Sequence, residues 1–307
     1  MNAGDAKKTS KLRAWGQLLR LPNLLTVPGD PIMGFLLFRA GGPLAAALVP
    51  AAGASVLLYA AGLLANDFFD AARDRRSRPD RPIPSGRASR GAVAAVAVLL
   101  AAGGVAAAYL ASPLTGHVAA VLLACIVAYD AGAKRIAALG PILMGACRAL
   151  SVGVGIAAAG ADLACPPAWI VPGWVLVYIA SVTAIARYET SARRVGWMSN
   201  LPAAVLAAGF TFIIADAISF ETSKVHLAVF VLLALAAVVS AARAAIRIAR
   251  AAGPSAVQKS VGELIRTLML VQAAMVSVTG WTGLCFAAGL VAGWVVSGLL
   301  ARRFYAS

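Results

Sequence analysis

The sequence predicts an all-α, polytopic membrane protein with nine to ten transmembrane helices. Three observations predict it. Of the 307 residues, 61% are hydrophobic and 13% charged, about half the charged share of a soluble domain. The mean hydropathy is +0.84. Apolar runs of the roughly 20 residues that a bilayer crossing needs recur along the chain.

The elements follow in order. Residues 9–21, TSKLRAWGQLLRL, mix basic and apolar side chains and read as an interfacial helix. Residues 1–21 are therefore taken as a cytoplasmic or interfacial segment, and 22–307 as one transmembrane domain. Candidate spans lie near 22–40, 44–66, 90–111, 114–132, 137–160, 168–188, 199–219, 225–247, 264–280 and 282–301. The first is weakened by Pro28, Asp30 and Pro31, the ninth by Glu263 and Arg266 at its start. No short signal-peptide pattern precedes them.

Positive charge tests this count, because Lys and Arg mark the cytoplasmic side. With the N-terminus inside, 24 of the 27 Lys and Arg fall in inner segments. Arg39 and Lys224 fall outside, and Arg148 lies within a span. The asymmetry accounts for most of the +15 net charge and suits anionic membrane lipid as a partner. It argues against a nucleic-acid ligand, since the basic residues sit in short loops between spans. The expected location is a plasma membrane, taken as a bacterial inner membrane, with the N-terminus cytoplasmic.

Cys125, Cys147, Cys165 and Cys285 have no metal-pair spacing and read as small packing residues. His117 and His226 fall near the predicted outer side. Ala and Gly crowd most spans, a signal of close helix packing.

The chemistry gathers at the end of the second apolar run, in LLANDFFDAARDRRSRPDRPIPSG, residues 63–86. The chain has 12 acidic residues, and three of them, Asp67, Asp70 and Asp74, fall within eight positions. If the second span continues here as a helix, they lie at i, i+3 and i+7. At about 100° per residue they then share one face, within roughly 60°. Such carboxylates repel one another unless a cation binds. Oxygen-only ligands suit a hard cation, and Mg2+ normally shares its shell with phosphates. The stretch reads as a Mg2+–diphosphate site with Asp67, Asp70 and Asp74 as metal ligands. The bland alternative is a solvated loop balanced by Arg73, Arg75 and Arg76.

Asn66-Asp67-x-x-Asp70-x-x-x-Asp74 resembles the first aspartate-rich motif of the UbiA superfamily of intramembrane prenyltransferases. RPDRPIPSGRAS resembles that family's Pro-Ser-Gly loop, LLRLPNLLTV at 18–27 its first-helix opening, and YDAGAKR at 129–135 its Tyr…Lys-Arg segment. The resemblance covers nearly the whole chain. It implies helices around a central, lipid-facing cavity. It implies Mg2+-dependent transfer of an isoprenyl group from its diphosphate to a small acceptor, aromatic compounds among the options. It implies donor contacts at Asn23, Asn66, Arg81, Ser85, Tyr129 and Lys134.

The second aspartate-rich motif of that family should follow the sixth span. Here the sequence is ARYETSARRVG, residues 186–196, in which only Glu189 is acidic. Arg187, Arg193 and Arg194 surround it, and they read as phosphate-binding forks or as topology anchors. Glu189 is a residual ligand or an ion-pair partner. Asp130 either orients Lys134 or ends a helix in solvent. Arg148, inside the fifth span, needs a cavity or partner, and a substrate contact, a carboxylate contact or a structural ion pair would each supply one.

Other functions compete. A phosphoribosyl or similar group could move from a soluble diphosphate onto a polyprenyl phosphate. A non-catalytic lipid or precursor carrier would keep the fold with a degraded site. A secondary transporter would need intramembrane ion sites, for which only Arg148 and Asp30 lie deep enough.

The topology makes the first prediction. A cysteine introduced at Ser77 is expected to react with a membrane-impermeant thiol reagent only after the membrane is opened. Labelling from outside intact cells would invert the charge-based topology.

Overall fold

The computed structural model describes residues 13–39, 44–190, 194–219, 223–250 and 253–304. Ten long helices carry the fold: α1 (Gly29–Phe38), α2 (Leu44–Ser77), α3 (Arg90–Ala111), α4 (Pro113–Ala131), α5 (Leu139–Ala158), α6 (Ile170–Ala186), α7 (Leu201–Ser219), α8 (Lys224–Arg250), α9 (Pro254–Ser277) and α10 (Trp281–Phe304). Ten segments are long and apolar enough to cross a membrane, the first joining α1 to a short helical turn, Leu21–Leu24. This is an integral, multi-pass helical bundle, as the apolar runs predict.

Helix α2 sets up the site by its length. Its 34 residues rise about 51 Å at 1.5 Å each, against a hydrocarbon core about 30 Å thick. The first twenty or so residues cross, and the rest project as a continuous helix carrying Asn66, Asp67, Asp70 and Asp74. The helical continuation on which the acidic spacing depends is therefore present.

The first span is interrupted. Pro22 opens the turn Leu21–Leu24, and the backbone passes through 25–28 before α1 begins at Gly29. Proline in this stretch removes helix hydrogen bonds, and in a membrane the freed carbonyls need other donors. Ser297 of α10 supplies one to the Pro22 carbonyl at 2.7 Å, and Gln272 of α9 one to the Thr26 carbonyl at 3.0 Å. Helix α1 lies tightly on α5. A Cβ added at Gly155 would meet the Pro31 carbonyl oxygen at 2.1 Å, so only glycine admits this approach.

The ninth span, weakest in the sequence, is the most central helix. In α9, 83% of the hydrophobic window is buried, against 17% in α10, so α9 is ringed by protein while α10 faces lipid. Its charged start is compensated: Arg247 of α8 meets Glu263 at 2.6 Å. Ser240 and Thr267 share a hydrogen bond at 2.7 Å, and the Tyr178 hydroxyl donates to the Leu264 carbonyl at 2.7 Å. Polar contacts of this kind stabilise membrane bundles by about 0.6 kcal/mol each. The helix also starts ten residues before the sequence-based boundary, at Pro254. Elsewhere the outward faces are apolar, as at Leu99 and Leu110 of α3 and Leu232 of α8.

The N-terminal segment packs on the bundle in its described part. Residues 1–12 lie outside the described residues, and 13–18 are helical. That helix is docked on protein: Leu18 is fully buried among Leu64, Ala71, Ile83, Ala88 and Val93. Gln17 accepts a hydrogen bond from Arg87 at 3.1 Å. Its apolar face covers the loop after α2.

Candidate active site

The aspartate face of α2 is buried, and cations from three other segments close over it. Asp67, Asp70 and Asp74 are at most 8% exposed. Arg81 lies 2.7 Å from Asp74 and 3.6 Å from Asp67. Arg20 approaches Asp67 at 3.5 Å. Lys134 comes from the turn after α4 and is itself buried. It contacts Asp70 at 3.0 Å, Asn66 Oδ1 at 2.9 Å and Asp130 at 3.6 Å. Arg73 reaches Asp70 at 2.9 Å, but from an exposed position, where such a pair is worth little.

The loop after α2 folds so as to return Arg81 to the helix. The Ser85 N–H and hydroxyl both bond the Arg81 carbonyl, at 3.0 and 2.7 Å. Gly86 follows with φ +74°, a backbone angle at which a side chain is strained. The Pro-Ser-Gly sequence thus builds a turn. Ser85 is exposed and its bonds are internal to the loop, including one accepted from Arg87 at 3.0 Å. The role the structure shows for Ser85, expected as a donor contact, is in closing this turn.

Across from this face stands the segment after α6. Arg187 bonds the Ala137 carbonyl and, with Tyr129, Lys134 and Thr183, lines a cavity of about 170 Å3. Glu189 lies within electrostatic range of Arg78, Arg20 and Arg81. The two loops predicted to face one another are therefore at the same end of the bundle. Arg193 lies outside the described residues, and Arg194 is exposed. Asn23 is buried in the turn that follows Arg20.

Arg148 is placed elsewhere. It is 5% exposed and meets Asp30, which is fully buried, at 2.7 Å. It also donates to the Thr26 hydroxyl. The carboxylate contact is present and belongs to the interior of the bundle. Of the partners open to Arg148, the structure shows the carboxylate, and the contact gives Asp30 a partner where a transporter reading sought an ion site.

Sequence reasoning passed over three contributors. Arg20 read as a topology charge, although it stands inside the LLRLPN motif. Asp130 stood level with a solvated helix end, and the structure buries it against Lys134. Thr183 lies in an apolar run with no distinguishing neighbour.

The donor set was tested against Mg2+. Asp70 Oδ1 is buried and has no hydrogen-bond partner, although its other oxygen is paired. All nearby donors are oxygens, as a hard cation requires. Among the described residues, no three acidic, histidine or cysteine side chains converge closely enough to enclose an ion alone. The site fits a Mg2+ ion that takes few protein ligands and completes its shell with phosphate and water. The segment around Glu189 does not fit a second metal: one carboxylate among arginines is a poor cation site.

These features define a membrane-embedded helical protein with a buried, acidic, cation-balanced site at one end of the bundle. The chain belongs to the UbiA prenyltransferase family, whose model matches residues 31–261. It is 46% identical over 79 residues to digeranylgeranylglyceryl phosphate synthase of Methanoregula boonei, a match covering 26% of this chain and 28% of that protein. The chain thus spans less than a third of that relative's length. The solved structure of a UbiA homolog from Aeropyrum pernix K1 superposes with a TM-score of 0.61 at 18% identity, over 83% of this chain and 96% of the other. A UbiA homolog from Archaeoglobus fulgidus, bound to DMAPP and Mg2+, gives 0.56 at 15% identity, over 84% and 99%. These two likenesses bear on the fold.

The positions of the second-loop arginines generate a prediction. Arg187→Ala is expected to weaken diphosphate binding by roughly 1.5–3 kcal/mol, the worth of a charged hydrogen bond. Arg194→Ala should stay near wild type. Equal losses in both, measured by calorimetry with inorganic pyrophosphate and Mg2+, would contradict the placement.

Proposed function

We propose that this protein transfers an isoprenyl group from an isoprenyl diphosphate to a small acceptor at the cytoplasmic face of a plasma membrane. The observation that carries the reading is the buried face of Asp67, Asp70 and Asp74, with Asp70 Oδ1 open and Lys134 and Arg81 alongside. Family membership supports the reaction class. The named relatives are digeranylgeranylglyceryl phosphate synthases, a name that supports transfer of an isoprenyl group. Those relatives are archaeal, so the expectation of a bacterial inner membrane widens to a prokaryotic plasma membrane. The N-terminus is placed in the cytoplasm on the charge asymmetry, and anionic lipid remains a partner on the same ground.

In this reading Asp67, Asp70 and Asp74, with Asn66 beside them, would hold one Mg2+. When bound, the ion neutralises charge that grows on the departing diphosphate. Lys134, Arg81, Arg20 and Arg187 bind the remaining phosphate oxygens directly, arginine through paired N–H donors. Glu189 keeps Arg20, Arg78 and Arg81 gathered on the same side. The bond between the allylic carbon and the diphosphate oxygen breaks with its electron pair leaving on oxygen. The acceptor then forms its bond to that carbon and loses a proton. Stabilising the leaving group is the main demand on the protein, and the enclosing helices exclude water that would trap the cation.

The test uses membranes containing the protein, radiolabelled allylic diphosphates and candidate acceptors. Transfer is expected with Mg2+ and not with EDTA. Asp67→Asn and Asp70→Asn should each abolish transfer and Mg2+-dependent pyrophosphate binding while the protein stays folded. Unchanged binding in both variants would end the metal-site reading. Intact donor binding without transfer to any acceptor would favour a carrier.

A further inference from the structure

Arg20, whose guanidinium lies over Asp67, has φ 44° and ψ 54°. It is a left-handed, non-glycine residue, the only one among the described residues. Such a conformation is strained for a residue with a side chain and persists only where surrounding structure imposes it. Something must hold the chain on both sides of it.

On the N-terminal side, Leu18 is sealed into the cluster beneath the Pro-Ser-Gly loop, and Gln17 is tied to Arg87. On the C-terminal side the chain enters the interrupted first span. There the Asn23 N–H bonds the Arg20 carbonyl at 2.8 Å, and the Thr26 N–H and hydroxyl bond the Asn23 carbonyl at 3.0 and 2.7 Å. Thr26 is in turn held from α5 and α9. Its hydroxyl accepts from Arg148, and its carbonyl accepts from Gln272 at 3.0 Å. Asp30 binds both donors, Arg148 at 2.7 Å and Gln272 at 2.7 Å. All four side chains are buried, Thr26, Asp30 and Gln272 completely.

We propose that Arg148, Asp30, Thr26 and Gln272 form one positioning unit that locks the interrupted first span and so holds strained Arg20 over Asp67. The inference rests on the diphosphate reading of the site. An ion pair in the membrane interior is expensive, and an apolar substitute would pack there at lower cost. This pair does what an apolar pair could not. Arg148 holds the Thr26 hydroxyl, and Asp30 anchors Gln272, which donates to the Thr26 carbonyl at the helix break. Arg148 and Asp30 are 118 positions apart, so the unit ties the start of the chain to α5 directly. Arg148 acts on the diphosphate only through Thr26 and Arg20, and it is a positioning residue.

The experiment pairs a structural readout with a binding one. Spin labels at Gly16 and Arg76, in a background without native cysteines, report the distance between the N-terminal helix and the end of α2. Calorimetry with inorganic pyrophosphate and Mg2+ reports the site. Thr26→Val keeps the side-chain shape and removes only the hydroxyl, so it is the main variant. Arg148→Met breaks the unit outright. Asp30→Asn with Arg148→Gln removes both charges together and keeps hydrogen-bonding groups at both positions. Thr26→Val and Arg148→Met should broaden the distance distribution and weaken pyrophosphate about tenfold, the scale seen when supporting partners of a ligand shell are lost. The double variant should recover much of both. A narrow distribution and unchanged affinity in Thr26→Val would overturn the proposal, and that variant suffices if Arg148→Met does not fold. A broadened distribution with unchanged affinity would leave the lock in place and refute the role of Arg20 at the diphosphate. Equal weakening in the double variant and in Arg148→Met would show that the charges act on the ligand directly, and would also overturn it.

Discussion

Three carboxylates on one buried helix face repel one another, and the chain brings cations from three separate segments to balance them. Asp67 receives Arg20 and Arg81, Asp74 receives Arg81, and Asp70 receives Lys134. Each cation has to be delivered by its own piece of fold. Arg20 arrives on the strained turn before the first span, Arg81 on the Pro-Ser-Gly turn, and Lys134 on the short turn after α4. The bundle is therefore organised around an electrostatic requirement at one of its ends. Packing of α1 on α5 and of α9 at the centre serves to bring those turns together.

The same balance suggests how the site works. In the proposed function, an anionic diphosphate would attract the cations and a hard metal the carboxylates, so donor and metal together would divide an ion-pair network that already exists. Binding either one alone leaves charges of one sign without partners. Linked binding of metal and diphosphate follows from this. The segment after α6 belongs to the same logic: beside the single acid Glu189, Arg187 lines the cavity with Tyr129 and Lys134, where the proposed donor charge would be met by a guanidinium group.

Much of this was legible in the sequence, because local pattern carried it. The i, i+3, i+7 spacing of Asp67, Asp70 and Asp74 needed only the helix to continue, and it does. The Pro-Ser-Gly loop is a local turn with a local cause at Gly86. Other features depend on partners distant in sequence and were hidden. Arg20 reads as one more inside charge until Asp67 is seen beside it. Arg148 and Asp30 each read as isolated polar residues in separate spans, and only their contact shows that neither stands alone. Helix α9 looked marginal because Glu263 lowers its hydropathy, yet the arginine that neutralises it lies on α8. For Ser85 the sequence carries the family resemblance of its loop, and the structure adds the hydrogen bonds by which its N–H and hydroxyl close that turn on Arg81.

The most direct measurement is the number of metal ions held with the diphosphate. Manganese binding followed by EPR, with saturating inorganic pyrophosphate, counts the ions per chain. A site with one carboxylate face, and a single acid, Glu189, beside Arg187 in the segment after α6, predicts a single ion, whose affinity collapses in Asp70→Asn and survives in Glu189→Gln. Two ions per chain, one of them lost with Glu189→Gln, would contradict it.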